Sequence, residues 1–292
     1  MGNNGHGVAW GGHVSDVGFL VLCGLGCGVL AAGGDRTDAV QGLLSAPILM
    51  ALYALTRRFT DTSRPSARPP HPVAATVIVV ALLAVTTAEL AIGPTGPILA
   101  AWSTLSWNIA SSAQRAIPVL DVQSIYSALT FAILPVVVLI ALGWRARDLG
   151  FGPSRRGTWR TFALWCGIPV VAYAIAIALG HGSFGALAHR TFIDVFRNGF
   201  AEEILFRGIV LRLTAYAFGL SAGNVVQALA FGLWHLGADL RDVHGNVTLA
   251  AFDGVATQAL FGYFQGLVTL RTGNVLVSGS VHALADAAQA LS

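Results

Sequence analysis

The stretch VAATVIVVALLAVTTAELAIG, residues 73–93, contains one ionisable side chain, that of Glu89, and it decides the fold class. A transmembrane α-helix needs about 20 predominantly apolar residues to cross the hydrocarbon core of a bilayer. In lipid, a helix satisfies its backbone hydrogen bonds within one segment, whereas an isolated strand does not. The stretch therefore predicts a membrane-spanning helix.

Runs of the same kind recur along the chain. They cover residues 17–32, 39–56, 122–143, 161–180, 190–213, 221–238, 249–270 and 273–291. The first run is short and rich in glycine. The segment Pro97–Ala110, which contains Trp102 and Trp107, is typical of an interfacial helix that does not span. We therefore predict an all-α fold, a polytopic transmembrane helical bundle of about eight spans, with a polar catalytic cavity in the C-terminal helices.

The composition supports a membrane protein. Of the 292 residues, 55% are hydrophobic and only 11% are charged, against about 25% charged in soluble domains. Too few charges remain to cover a surface that faces water. This excludes a disordered chain and an ordinary soluble enzyme. No basic, aromatic-interleaved patch is present, so no nucleic-acid partner is expected. The expected location is the cell membrane, with the lipid bilayer as a partner.

Arginine placement predicts the topology and the domains. All 17 basic residues are arginine, and nine of them lie in the two tracts 57–72 and 144–160. Such tracts favour the cytoplasmic side, and the two runs between them, 73–93 and 122–143, keep both tracts on one side. We predict N-terminal spans in residues 1–120, with a cytoplasmic linker at 57–72, and a catalytic core in residues 121–292. The absence of lysine indicates a GC-rich, bacterial genome.

Ionisable side chains inside spans are costly and mark candidate sites. Glu203 and Arg207 are four residues apart, so they share a helix face and can pair. Glu202 is rotated about 100° from Glu203, so it can point into a cavity and accept a proton from water. A buried pair that only ties helices together is the alternative.

Two further motifs occur later in the chain. Phe231 and His235 lie four residues apart, and so do His282 and Asp286. Taken alone, His235 is more typical of a hydrogen-bonded residue at the end of a span. His282 and Asp286 project to one side of a helix, where they can bind a metal together or where the carboxylate can orient the imidazole.

In this order, EExxxR, FxxxH and HxxxD resemble the motifs of the CPBP family. These are CAAX-protease and bacteriocin-processing intramembrane proteases, also called the Abi family and related to the Rce1-type CAAX endopeptidases. The flanking stretches RARDLGF, AEEILFRG and GLVTLRTGNVLVSGSVHALAD are also similar, and the resemblance covers residues 145–292.

The resemblance implies peptide-bond hydrolysis inside the membrane. It implies that Glu202 activates water with help from His235, and that His282 and Asp286 hold the oxyanion or position the water. It implies a supporting role for Glu203, Arg207 and Phe231, and a membrane-embedded or lipidated protein or peptide as the substrate.

Asp286 departs from the family pattern, which often has asparagine there. An ionised aspartate cannot donate a hydrogen bond to an oxyanion, so Asp286 is protonated, ligates a metal or orients His282. Zinc held by His235, His282 and a carboxylate such as Asp286 is one mechanism. A metal-free glutamate protease is the other, and the paired glutamates favour it. A scaffold or an ion-coupled transporter is the non-enzymatic alternative.

Overall fold

The computed structural model describes residues 8–61, 68–93 and 96–291, and in this part of the chain the helices are joined by loops and turns, with no strand. The α-helices are α1 (Val8–Gly33), α2 (Arg36–Phe59), α3 (Pro72–Ile92), α4 (Pro97–Ala116), α5 (Val122–Ser127), α6 (Leu134–Ala141), α7 (Thr158–Ala178), α8 (Phe184–Asp194), α9 (Phe200–Glu203), α10 (Leu211–Phe218), α11 (Leu220–Trp234), α12 (Leu236–Asp242), α13 (Val247–Asp253), α14 (Leu260–Thr272) and α15 (Leu276–Ala287). Residues 62–67 of the predicted linker lie outside the described ranges.

Four π-helical segments continue these helices without a break in the chain direction. They are Ala128–Ile133, Val195–Gly199, Ile204–Val210 and Gly254–Ala259. Two short 3₁₀ helices complete the secondary structure, at Ala146–Leu149 and Ala288–Leu291. A π-helical turn contains one residue more than an α-helical turn, and such turns are frequent at functional sites.

Local sequence explains where several helices begin. Pro72 and Pro97 each occupy the first turn of a helix, where the missing N–H group costs nothing. The carboxylate of Asp121 accepts a hydrogen bond of 2.6 Å from the backbone N–H of Ser124 and caps α5. Gly219, with φ of 83°, separates α10 from α11 in a conformation that favours glycine.

Five helical stretches among the described residues are long and apolar enough to cross a membrane. They are Val14–Gly33, Arg36–Phe59, Pro72–Glu89, Val122–Ala141 and Thr158–Ala178. Each contains or overlaps one of the first five predicted runs, so the all-helical, membrane-spanning class is confirmed. The count of about eight spans is not established, since the four later runs are absent from the five; α11 is a shorter apolar helix.

The chain divides into two compact units. Unit 1 comprises Met1–Tyr53, Arg64–Thr95 and Val210–Leu267, and unit 2 comprises Ala54–Ser63, Gly96–Ile209 and Val268–Ser292. This division differs from the predicted division at residue 120. The predicted division at residue 120 separates N-terminal spans from a catalytic core, and it stays a prediction.

In unit 1, helix α1 packs against α11 and α13, and α12 packs against α3. One core cluster consists of Cys27, Leu30, Ala39 and Ala256. The buried indole of Trp234 donates a hydrogen bond of 2.8 Å to the hydroxyl of Thr86 and joins α11 to α3. All three cysteines of the chain are buried and free, so they act as small apolar side chains.

In unit 2, helix α15 is central. It packs against α7, α8, α9 and the π-helical segment Val195–Gly199. The hydroxyl of Tyr173 on α7 donates a hydrogen bond of 2.8 Å to the carbonyl of Leu284 on α15. The indole of Trp165 donates another of 2.8 Å to Thr56. The first of these hydrogen bonds joins α7 to α15, and the second joins α7 to the last turns of α2.

Candidate active site

Helix α9 carries Glu202 and Glu203 between two π-helical segments, and small residues bring it close to α15. An added Cβ on Gly279 would lie 2.8 Å from Cε1 of Phe200, and one on Gly199 would lie 2.9 Å from the carbonyl oxygen of Gly279. Side chains of ordinary size would therefore hold the two helices apart. The absence of these side chains lets residues of α15 reach the glutamates.

Glu203 and Arg207 form the predicted ion pair. Arg207 Nη1 lies 2.8 Å from Glu203 Oε1, and neither side chain is exposed to solvent. The prediction from their i, i+4 spacing is confirmed. Breaking a buried pair by removing one partner typically costs about 3–5 kcal/mol, because it leaves a charge without compensation. The pair therefore holds a carboxylate ionised at a place that excludes water.

Glu203 also holds the imidazole of His282. His282 Nδ1 lies 3.0 Å from Glu203 Oε1. An ionised carboxylate only accepts hydrogen bonds, so Nδ1 carries the proton and donates it. The sequence left open whether Asp286 orients His282. In the structure the carboxylate in direct contact with the imidazole is that of Glu203.

The second nitrogen of His282 lies between two further carboxylates. His282 Nε2 is 3.8 Å from Glu202 Oε2 and 3.9 Å from Asp286 Oδ2. Both separations are too long for a direct hydrogen bond and suit a bridging water molecule. Glu202 and His282 are buried, whereas the side chain of Asp286 is 23% exposed. The cluster therefore has a route to its surroundings on the Asp286 side.

Asn198 is a site residue that the sequence did not single out as functional. Its Nδ2 donates a hydrogen bond of 2.6 Å to Asp286 Oδ2 and so fixes that carboxylate. Asn198 precedes Glu202 by four residues, so the two share a helix face, and this spacing is the signal in the sequence that could have identified Asn198 as a site residue. Its partner, 88 residues further along the chain, could not be read from the sequence.

Phe231 and His235 lie in unit 1. Phe231 is fully buried, and its ring meets that of His235 edge to face, with centroids 4.6 Å apart. His235 Nδ1 lies 2.9 Å from the carbonyl oxygen of Phe231. A carbonyl oxygen only accepts hydrogen bonds, so Nδ1 carries the proton in this contact. The predicted cooperation of His235 with Glu202 stays a prediction.

One comparison with known proteins gives a match. Residues 185–288 match the type II CAAX prenyl endopeptidase Rce1-like family model. We refer to these residues as the Rce1-like segment. No curated protein and no solved structure matches the chain. The resemblance that the three motifs indicated is thus confirmed over the Rce1-like segment.

The Rce1-like segment contains every residue that the sequence predicted for the site. They are Glu202, Glu203, Arg207, Phe231, His235, His282 and Asp286. The matched family is one of endopeptidases, which are hydrolases. Together with the five apolar helices, the match identifies a membrane protein.

The Rce1-like segment does not show a zinc ligand set. Among the described residues no group of three histidine, cysteine, aspartate or glutamate side chains is arranged to hold a metal ion. His282 Nδ1 is engaged by Glu203, and only Nε2 is left for a metal. Zinc binding by His235, His282 and Asp286 stays a prediction.

Proposed function

We propose that the protein is an intramembrane endopeptidase that hydrolyses a peptide bond of a membrane-associated protein or peptide. The observation that supports it best is the position of His282 Nε2, which is 3.8 Å from Glu202 Oε2 and 3.9 Å from Asp286 Oδ2. A water molecule between these groups would lie within hydrogen-bonding reach of a base and of an imidazole. Such an arrangement is suited to general-base activation of water.

In the proposed reaction, Glu202 takes a proton from water while the water oxygen attacks the carbonyl carbon of the peptide. The C–N bond of the tetrahedral intermediate then breaks, and the leaving amine takes the proton from Glu202. Glu203 and Arg207 hold His282 so that Nε2 faces the reacting oxygen. Asp286, held by Asn198, positions the water, and His235 assists Glu202, as the resemblance to the family implies.

The substrate in this proposal is anchored in the membrane. The matched family is described as one of CAAX prenyl endopeptidases. A site on buried helices of a membrane protein is reached most easily by a substrate that is itself held in the bilayer. We therefore propose a membrane-embedded or lipidated protein or peptide, cleaved near its anchor.

The test compares Glu202→Gln with a matched variant of another glutamate. The chain has only three glutamates, and Glu89 on α3 provides the control. With purified protein and a panel of fluorogenic lipidated and transmembrane peptides, we expect Glu202→Gln to lower turnover by about 10²- to 10⁴-fold, the usual contribution of a general base. We expect Glu89→Gln to retain activity.

Thermal unfolding of both variants completes the test. We expect the melting temperature of Glu202→Gln to stay close to that of the wild type, so that loss of turnover reports chemistry. Treatment with a chelator should leave turnover unchanged. Turnover by Glu202→Gln at the rate of the wild type would refute the proposal. An inert wild type across the whole panel would favour a scaffold role.

A further inference from the structure

An arginine-lined pocket in unit 2 is unrelated to the carboxylate cluster. It has a volume of about 420 Å³ and is lined by residues 58–61 and 155–160. These include four arginines and one aspartate, a net charge of +3. The pocket lies where α2 ends and α7 begins. Both helices are among the five that can span a membrane, so the pocket lies at the level of the lipid headgroups.

The walls of the pocket are fixed by hydrogen bonds. The guanidinium group of Arg155 donates a bond of 2.8 Å to the carbonyl of Leu270, and that of Arg271 donates one of 3.0 Å to the carbonyl of Asp61. The buried hydroxyl of Thr158 donates a bond of 2.8 Å to the carbonyl of Arg155. These hydrogen bonds hold the shape of the pocket within unit 2.

Gly157 brings the two walls into contact. Its φ of 81° lies in the region that favours glycine, and an added Cβ would collide with the carbonyl oxygen of Phe59. Because Gly157 has no side chain, it provides no side-chain cap for the N–H groups in the first turn of α7. The positive end of a long helix adds to the positive charge of the arginines.

Among the described residues, three of the four arginines of the pocket have no counter-ion. The side chains of Arg58, Arg156 and Arg160 are exposed, and no hydrogen bond or ion pair joins their guanidinium groups to the described residues. Guanidinium groups bind phosphate through paired N–H donors. Trp159, which is 65% exposed at the same place, is typical of residues at the membrane interface.

We propose that this pocket binds the phosphate group of an anionic phospholipid. The lipid source follows from the position of the pocket at the ends of two spans, and from the exposed indole beside it. Basic pockets between transmembrane helices on the cytoplasmic side are a known way of holding such headgroups. The predicted cytoplasmic location of both arginine tracts places the pocket where anionic lipids are available.

The test uses native mass spectrometry of the full-length protein after extraction from vesicles of equal parts phosphatidylglycerol and phosphatidylcholine. The wild type should retain phosphatidylglycerol in preference to phosphatidylcholine. The double variant Arg156→Gln with Arg160→Gln should lose most of that preference, with a several-fold fall in the retained fraction. The matched control is Arg145→Gln with Arg147→Gln, which removes the same charge from the same arginine tract, 144–160, outside the pocket.

Three outcomes would overturn the proposal. One is a wild type that retains both lipids equally. Another is a control variant that loses as much phosphatidylglycerol as the pocket variant, since that would show an effect of overall charge. The third is displacement of the lipid by inorganic phosphate, which would show that the pocket takes the free anion. None of these outcomes depends on peptidase activity.

Discussion

At the residue scale, the contact between Asn198 and Asp286 is the most specific feature of the site. Asn198 holds the Asp286 carboxylate at 2.6 Å, and that carboxylate lies 3.9 Å from His282 Nε2. We expect Asn198→Ala to lower kcat by about tenfold or more, because a hydrogen bond to a charged group contributes about 1.5–3 kcal/mol. Steady-state kinetics with the best peptide substrate and a thermal melt would measure the effect.

A reciprocal exchange separates this positioning role from a packing role. The single variant Asn198→Asp places two carboxylates in contact and should be the least active. Adding Asp286→Asn restores an amide and a carboxylate in exchanged positions, and part of the lost activity should return. Equal activity of the single and double variants would show that the contact does not contribute to turnover.

The local part of the site could be predicted, and the long-range part could not. The pairing of Glu203 with Arg207 depends on helical spacing alone, so four residues of sequence were enough. Glu203 and His282 are 79 residues apart, and their contact depends on how α9 packs against α15. For the same reason, the sequence could not decide whether Asp286 or Glu203 orients His282.

At the scale of the elements, the close approach of α9 and α15 controls the site. We expect Gly279→Ala to reduce turnover and to destabilise the protein by about 1–3 kcal/mol, the usual cost of overfilling a packed interface. The physical reason is the position of the new Cβ, 2.8 Å from the ring of Phe200. Thermal unfolding and kinetics measured on one preparation would test both effects.

The control for this change is Gly167→Ala in α7. An added Cβ at Gly167 meets nothing within 4 Å, and alanine favours a helix interior over glycine by up to about 1 kcal/mol. Gly167→Ala should therefore be at least as stable as the wild type and fully active. If both variants behaved alike, the contact between α9 and α15 would not limit activity.

The positions of the π-helical segments were beyond the reach of the sequence. Apolar runs predict that a helix exists, but periodicity arguments assume a constant 3.6 residues per turn. A π-helical turn adds one residue to a helical turn, and the segments Val195–Gly199 and Ile204–Val210 carry no local sequence signal for it. These two segments flank the paired glutamates, so the missed detail lies at the site.

At the scale of the whole molecule, the arginine tracts make a testable prediction of topology. With tract 57–72 in the cytoplasm, an Asp61→Cys variant should resist an impermeant thiol reagent added outside cells. A Val119→Cys variant should react, because residue 119 lies one predicted span away. Both native side chains are exposed, and the three native cysteines are buried, so background labelling should be low. The reverse labelling pattern would invert the topology.

The sequence predicted the first part of the membrane domain better than the last part. Five early runs became helices of spanning length because they carry few charges. The run 190–213 contains Arg190, Asp194, Arg197, Glu202, Glu203, Arg207 and Arg212. Its charges are accommodated by partners inside the fold, such as the 2.9 Å contact between Arg190 and Asp194. Hydropathy takes no account of such partners, and so it cannot count spans there.

In the proposed mechanism, the crowding of carboxylates around His282 affects the release of the product at the end of each cycle. Hydrolysis turns a neutral peptide bond into an amine and a new carboxylate, formed beside Glu202 and Asp286. Like charges at close range repel strongly where water is scarce, so the newly formed chain end is driven out. A product peptide that ends in a carboxylate should therefore inhibit less than the same peptide ending in an amide, and equal inhibition would contradict this. In the proposed mechanism, the carboxylates that support hydrolysis therefore also help to expel the product.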